Sequence, residues 1–173
     1  NNDGIALSTN EYAGGLIACR VDCGSSTPVN KTMVNNAARV TACYIDGAGG
    51  TGATGVVSGP AASGNYITNV KTGIQNNSGF VQNNIVKLTE SGGYGISTGL
   101  FGTRSATHNI IYSTVANTGA GIYAFDTAGR INVLLANNIV CGFSGAGGRA
   151  ILLNGENKVI LGPNAFYNNT KPL

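Results

Sequence analysis

The sequence predicts an all-β solenoid, a parallel β-helix of about seven coils with three short strands in each. Two observations carry this expectation. The segments Asn84-Ile85-Val86, Asn109-Ile110-Ile111, Asn138-Ile139-Val140 and Asn164-Ala165-Phe166 are versions of one phrase. From Asn84 to Asn109 is 25 residues, from Asn109 to Asn138 is 29 and from Asn138 to Asn164 is 26. A second phrase keeps step with the first: Gly95-Ile96, Gly121-Ile122 and Ala150-Ile151 follow the first three asparagines by 11, 12 and 12 positions. Two phrases locked to one period are an internal repeat, and a period this short with several strand-like runs fits a single solenoid coil.

Composition points the same way. The chain has 173 residues, of which 10% are charged, 42% are hydrophobic and 27 are glycine. Disordered chains are usually charged and poor in aliphatic residues, so this one is expected to fold, as one domain spanning 1–173 that reads as a piece of a longer chain. β-branched residues between Gly and Asn turns favour short strands. The net charge of +3 is small and dispersed, which gives nucleic-acid binding little support. No apolar run reaches membrane-spanning length.

The repeat can be followed from the first coil. Ala18-Cys19-Arg20-Val21-Asp22 matches Ala42-Cys43-Tyr44-Ile45-Asp46 at an offset of 24, with a looped crossing over 25–36. The glycine-rich stretch 47–64 holds one apolar phrase, Gly55-Val56-Val57, after which Asn69-Val70 falls 25 residues beyond Tyr44. The aligned column is then Arg20, Tyr44, Asn69, Asn84, Asn109, Asn138, Asn164. The next column, Val21, Ile45, Val70, Ile85, Ile110, Ile139, Ala165, is aliphatic throughout and is expected to point inward. From Asn69 to Asn84 is only 15 residues, so that coil has a short turn or the register slips there. The runs Ile131–Ala136 and Lys158–Leu161 supply further strands. Helical repeats would need a 3.6-residue periodicity, which is missing. About seven coils at about 4.8 Å give a rod on the order of 30 Å long. Asn69, Asn84, Asn109, Asn138 and Asn164 are expected to stack as a hydrogen-bonded ladder that satisfies amides at a bend, where Asn also tolerates left-handed backbone.

The phrases Gly121-Ile122-Tyr123, Ala136-Asn137-Asn138-Ile139-Val140 and the segment Pro163 to Asn169 resemble the right-handed parallel β-helix repeat of the pectate-lyase-like superfamily. The resemblance covers 66–170 well and 15–57 loosely, and it implies a right-handed coil. The superfamily includes pectate lyases, polygalacturonases, phage tailspikes, non-catalytic virion proteins and surface adhesins, so it implies a fold more than a function. The Asn-Thr-Asp, Asp-Asp, Gly-His-Gly and Arg-Ile-Lys motifs of polygalacturonase-like enzymes are absent. No acidic cluster resembles the calcium site of pectate lyases.

Among candidate site residues, Asp22 and Asp46 fall one coil apart, roughly 5 Å from each other. Carboxylates that close push one pKa up, as in the acid and nucleophile of retaining glycosidases, and with backbone carbonyls they can hold Ca. Each also begins a turn, where Asp caps its own backbone, and Lys71 is expected to follow them in the column. Tyr94, Arg104, Tyr112, Tyr123 and Arg130 form a candidate sugar-binding stripe; rings in the lumen or over an end are the other reading. His108, the only histidine, reads as a turn-surface residue. Cys19 and Cys43 share a column, either as free buried thiols or as a bridge; Cys23 and Cys141 have no evident partner. No metal site is expected beyond the Ca option.

The functional expectation is a non-catalytic structural or recognition module of an extracellular or virion appendage, such as a phage tailspike, fibre or capsid decoration, with glycan binding as one role. The superfamily resemblance implies a homotrimer. The alternatives are a polysaccharide lyase or glycoside hydrolase acting through Asp22 and Asp46, and a bacterial surface adhesin.

Overall fold

A computed structural model describes residues 5–8, 14–22, 30–48, 51–76, 79–98, 104–126, 132–155 and 158–173. These form an all-β parallel solenoid in which three strands recur in chain order. The first turn holds β1 (Ile5–Ser8), β2 (Gly15–Ile17) and β3 (Arg20–Asp22). The second and third turns have only two strands each, β4 (Thr32–Thr41) with β5 (Tyr44–Asp46), and β6 (Thr54–Ser63) with β7 (Tyr66–Val70). After them come β8 (Thr72–Asn76), β9 (Gly79–Gln82) and β10 (Ile85–Leu88), then β11 (Tyr94–Thr98), β12 (Arg104–Thr107) and β13 (Ile110–Ser113). The last two turns are β14 (Ala120–Asp126), β15 (Asn132–Ala136) and β16 (Ile139–Cys141), followed by β17 (Arg149–Gly155), β18 (Lys158–Leu161) and β19 (Ala165–Tyr167).

The third strand of every turn belongs to one seven-stranded sheet. The first and second faces merge into a twelve-stranded sheet because β4 and β6 run through both without a break. Thr32 and Val34 of β4 pair with β1, while Arg39 to Thr41 pair with β2. All the strand pairs are parallel, so each coil lies on its predecessor and the fold has no hairpins among the described strands.

Alternation within each strand sends one set of side chains inward. On the third face the inner column is Val21, Ile45, Ile67, Val86, Ile111, Val140 and Phe166. On the first it includes Val34, Val56, Ile74, Ile96, Ile122 and Ile151, and on the second Val40, Ala62, Val81, Ala106 and Leu135. These residues are buried from Val34 to Ile151, and only the last coil opens, at Phe166 and Leu161. The Gly-Ile phrase also has a steric origin. A Cβ at Gly95 would collide with the Ile111 side chain and one at Gly121 with Val140, so the glycines let two faces close on each other.

The expected inward column is corrected here. Val21 and Ile45 point inward, but Ile110 and Ile139 are 39% and 46% exposed, and the buried positions are one residue later. The alignment had set Tyr44 against the asparagines, whereas Tyr44 pairs with Tyr66, which pairs with Ile85. A slip of one residue exchanges the two faces of a strand. Val70 is buried, but it pairs with Leu88, a different level of the sheet.

The ladder is present with one member changed. Asn65 Nδ2 donates to Asn84 Oδ1 at 2.9 Å, Asn84 to Asn109, Asn109 to Asn138 and Asn138 to Asn164, the last three each at 3.0 Å. Each acceptor oxygen also takes the backbone N–H of the preceding asparagine. The second amide proton goes to a strand carbonyl, as from Asn109 to Val81 O at 3.0 Å. Asn84 and Asn109 are fully buried. Asn69 is not in the ladder. It takes φ +55° one strand further on and donates to Asp46 Oδ1 at 2.8 Å. Nor do the ladder residues adopt the left-handed conformation. The residue before each does: Ala42, Gly64, Asn83, His108 and Asn137.

Replacing Asn109 by Ala strands the amide of Asn84, the carbonyl of Val81 and the donors of Asn109's neighbours inside the protein. At about 1–3 kcal/mol for each unsatisfied group, Asn109→Ala is expected to cost about 3 kcal/mol or more, whereas exposed Gln75→Ala stays within about 0.5 kcal/mol. Denaturant unfolding followed by circular dichroism checks both, and equal effects would remove the ladder from its structural role.

Candidate functional site

The outer surface of the third face carries the paired acids. Strand alternation that sends Val21 and Ile45 inward turns Arg20, Asp22, Tyr44 and Asp46 outward. Asp22 and Asp46 are direct partners across β3 and β5, as the offset predicted. Their next neighbour in the column is Thr68, not Lys71. Arg20 Nε donates to Asp22 Oδ2 at 3.1 Å, and its guanidinium lies 4.6 Å from the centre of the Tyr44 ring. Tyr44 stacks on Tyr66 at 5.5 Å with the planes 9° apart.

Asp46 is engaged by its own turn. Oδ1 accepts from Ala48 N at 2.8 Å and from Asn69 Nδ2 at 2.8 Å, and Oδ2 accepts from Tyr44 Oη at 3.3 Å. Burial pushes this carboxyl up, but the bonds from Asn69, Ala48 and Tyr44 outweigh it and hold Asp46 below the usual carboxylate range. The shift is opposite to the one expected of a proton-holding acid. Burial and the Asp46 charge push the Tyr44 hydroxyl up. Among the described residues no three His, Cys, Asp or Glu side chains gather in a way that could hold a metal ion.

The five residues of the expected sugar stripe divide among three faces. Tyr94 of β11 and Tyr123 of β14 meet on the first face, with ring centres 4.6 Å apart, and Phe125 extends the stack at 5.2 Å. Asn154 Nδ2 donates to Tyr123 Oη at 3.2 Å. Tyr112 lies on β13 in the other sheet, where it pairs with Cys141 and shares a hydrogen bond with Tyr66. Burial and that bond push its hydroxyl up. Arg104 belongs to β12 on the second face, its side chain outside the description, and Arg130 lies outside the described residues. One stripe of all five is therefore ruled out by the separation of Tyr112 from Tyr94 and Tyr123.

The remaining candidates take structural places. His108 is exposed at φ +57°, with Nε2 3.1 Å from Asn137 Nδ2. Cys19 and Cys43 are free thiols, as is Cys141, and burial pushes both Cys43 and Cys141 up. Cys23 lies outside the described residues. Sequence reasoning missed Asn65, whose signal was the pair Gly64-Asn65 before Tyr66, matching Ala42-Cys43 before Tyr44. It also missed Asn117, a fully buried clamp that accepts from Gly92 N at 3.0 Å and Gly119 N at 2.7 Å while donating to Glu90 O at 3.0 Å.

No family model, curated protein or solved structure matches the chain.

Asp46 gives a pH signature with a definite sign. Its folded pKa is depressed, so its contribution to stability is present above the unfolded value, about 3.9, and is lost as pH falls through the lower folded value. Asp46→Asn is therefore expected to lower the melting temperature at pH 7 and to converge on the parent protein in strong acid. Thermal melts at pH 7 and near pH 2 check this; a constant difference between the two proteins would refute it.

Proposed function

We propose that the chain is a non-catalytic structural and recognition segment, a β-solenoid rod of a virion appendage such as a tailspike, fibre or capsid decoration. The observation that carries this is the buried amide ladder through Asn65, Asn84, Asn109, Asn138 and Asn164. It makes successive coils one stiff body and holds the outer faces at a fixed spacing, which suits a part that bears load or displays a surface. The likeness of its repeat to the pectate-lyase-like β-helices supports a virion setting, an extracellular location and a homotrimer.

The paired register of Asp22 and Asp46 favours a second reading, a polysaccharide lyase or hydrolase. The bonds that occupy both Asp46 oxygens weigh against it, because a catalytic acid or nucleophile needs an oxygen open to substrate.

The test is co-sedimentation of the native chain with virus particles from its source, with intact mass by mass spectrometry and subunit number by light scattering. The virion reading expects the chain in the particle fraction as a trimer. A protein found free and absent from particles would overturn it. If the preparation depolymerises a polysaccharide and Asp22→Asn with Asp46→Asn abolishes that activity, the enzymatic reading replaces it.

A further inference from the structure

The second face holds a dip that no candidate above uses. Its outer residues run in two rows across the strands. Arg39 pairs with Ala61 and Ala61 with Phe80, while Thr41 pairs with Ser63 and Ser63 with Gln82. Neighbouring strands lie about 4.8 Å apart, so Arg39 and Phe80 rise roughly 9–10 Å from each other. Between them stands only the methyl group of Ala61. A long cation, a methyl and an aromatic ring in succession leave a slot of about 330 Å³, bordered by Thr41, Ser63 and Gln82. That volume lies within the range of about 300–1,000 Å³ typical of ligand sites.

The slot has the chemistry of a recognition site. The Phe80 ring is 57% exposed, so one face of an aromatic platform is open to solvent. Among the described residues Arg39 forms no ion pair, leaving its guanidinium fork available for a carboxylate. The Thr41 and Ser63 hydroxyl oxygens lie 3.3 Å apart and with the Gln82 amide form a polar rail beside the slot. A flat ring partner carrying hydroxyls and one anionic group meets all three features. An extended peptide fits less well, because the strand backbones here are already paired on both sides and offer no edge. A single arginine is too little for a nucleic-acid backbone.

We propose that this slot binds a pyranose bearing a carboxylate, within an oligosaccharide. The C–H face of the sugar lies on Phe80, its carboxylate meets Arg39, and its hydroxyls bond to Thr41, Ser63 and Gln82. Hexuronate and sialyl residues share this chemistry. The site stands on the geometry of the second face and not on the virion reading, so either can fail alone.

The test is calorimetric titration of the intact chain with a uronate hexamer, a sialylated trisaccharide and the neutral, carboxyl-reduced counterpart of each. One acidic ligand is expected to bind at least about tenfold more tightly than its neutral counterpart, the scale of one charge-assisted bidentate contact. Arg39→Gln should erase that ratio without weakening the neutral ligand. Phe80→Ala should weaken acidic and neutral ligands alike, and Ala61→Leu should block both by filling the floor. Arg39 and Phe80 are exposed, and circular dichroism verifies that each variant is folded. The acidic ligand that binds identifies the source. Failure of both acidic ligands to bind at millimolar concentration, equal binding of the neutral forms, or an unchanged ratio in Arg39→Gln would each overturn the proposal.

Discussion

The fold depends on keeping neighbouring coils in register, and buried side-chain amides do this. A ladder asparagine has two donors and an acceptor, and all are met inside the protein. The oxygen takes two N–H groups from the preceding coil. One amide proton goes to the ladder asparagine before it and the other to a strand carbonyl. Any shift of one coil against the next leaves several of these groups unpaired at once, each at a substantial cost in low dielectric. Aliphatic columns alone would discriminate less, since Ile on Val is nearly as good as Ile on Ile. The amides make the correct register unique, and the apolar columns then supply the bulk of the stabilisation.

The ladder stops where its chemistry runs out. The oxygen of Asn65 accepts the backbone N–H of Cys43 at 2.9 Å, but the Cys43 thiol cannot continue the amide chain and turns to carbonyls of Leu16 and Thr41. Here the coils are tied from outside instead. Arg20 on Tyr44 on Tyr66 forms a stack along the same three coils, with Asp46 bound to Tyr44 beneath it. A cation over a ring and two stacked rings are less directional than an amide pair. The long strands β4 and β6, which cross two faces without a turn, add ladder length in the same region.

Much of this was legible where turn and strand keep a constant phase. Asn84, Asn109, Asn138 and Asn164 are separated by near-equal steps, and the structure places each on the ladder. The slip came at the glycine-rich third coil, where Asn65 to Asn84 spans only 19 residues and Asn69 offered a better numerical fit. Asn69 had its own reason to be asparagine, a left-handed turn beside Asp46, and nothing in the letters separates that reason from a ladder role. The acids were paired correctly by offset, yet their environment was hidden, because the bonds from Ala48 N and the Asn69 amide depend on the path of one turn. The aromatic residues were the least legible. Tyr112 and Tyr123 are eleven apart in sequence, and one corner of the coil sends them to different faces.

The direction of the bonds has a mechanical consequence. Main-chain and amide links between coils all run along the rod, whereas covalent bonds run around it. Tension on the two chain ends therefore loads the outermost coil first and peels turns away one at a time, each release at low force. A load pressed against the side of the rod is instead carried by covalent hoops backed by seven paired strands. Such a body resists crushing and bending better than stretching, so its strength in use depends on the direction in which it is held.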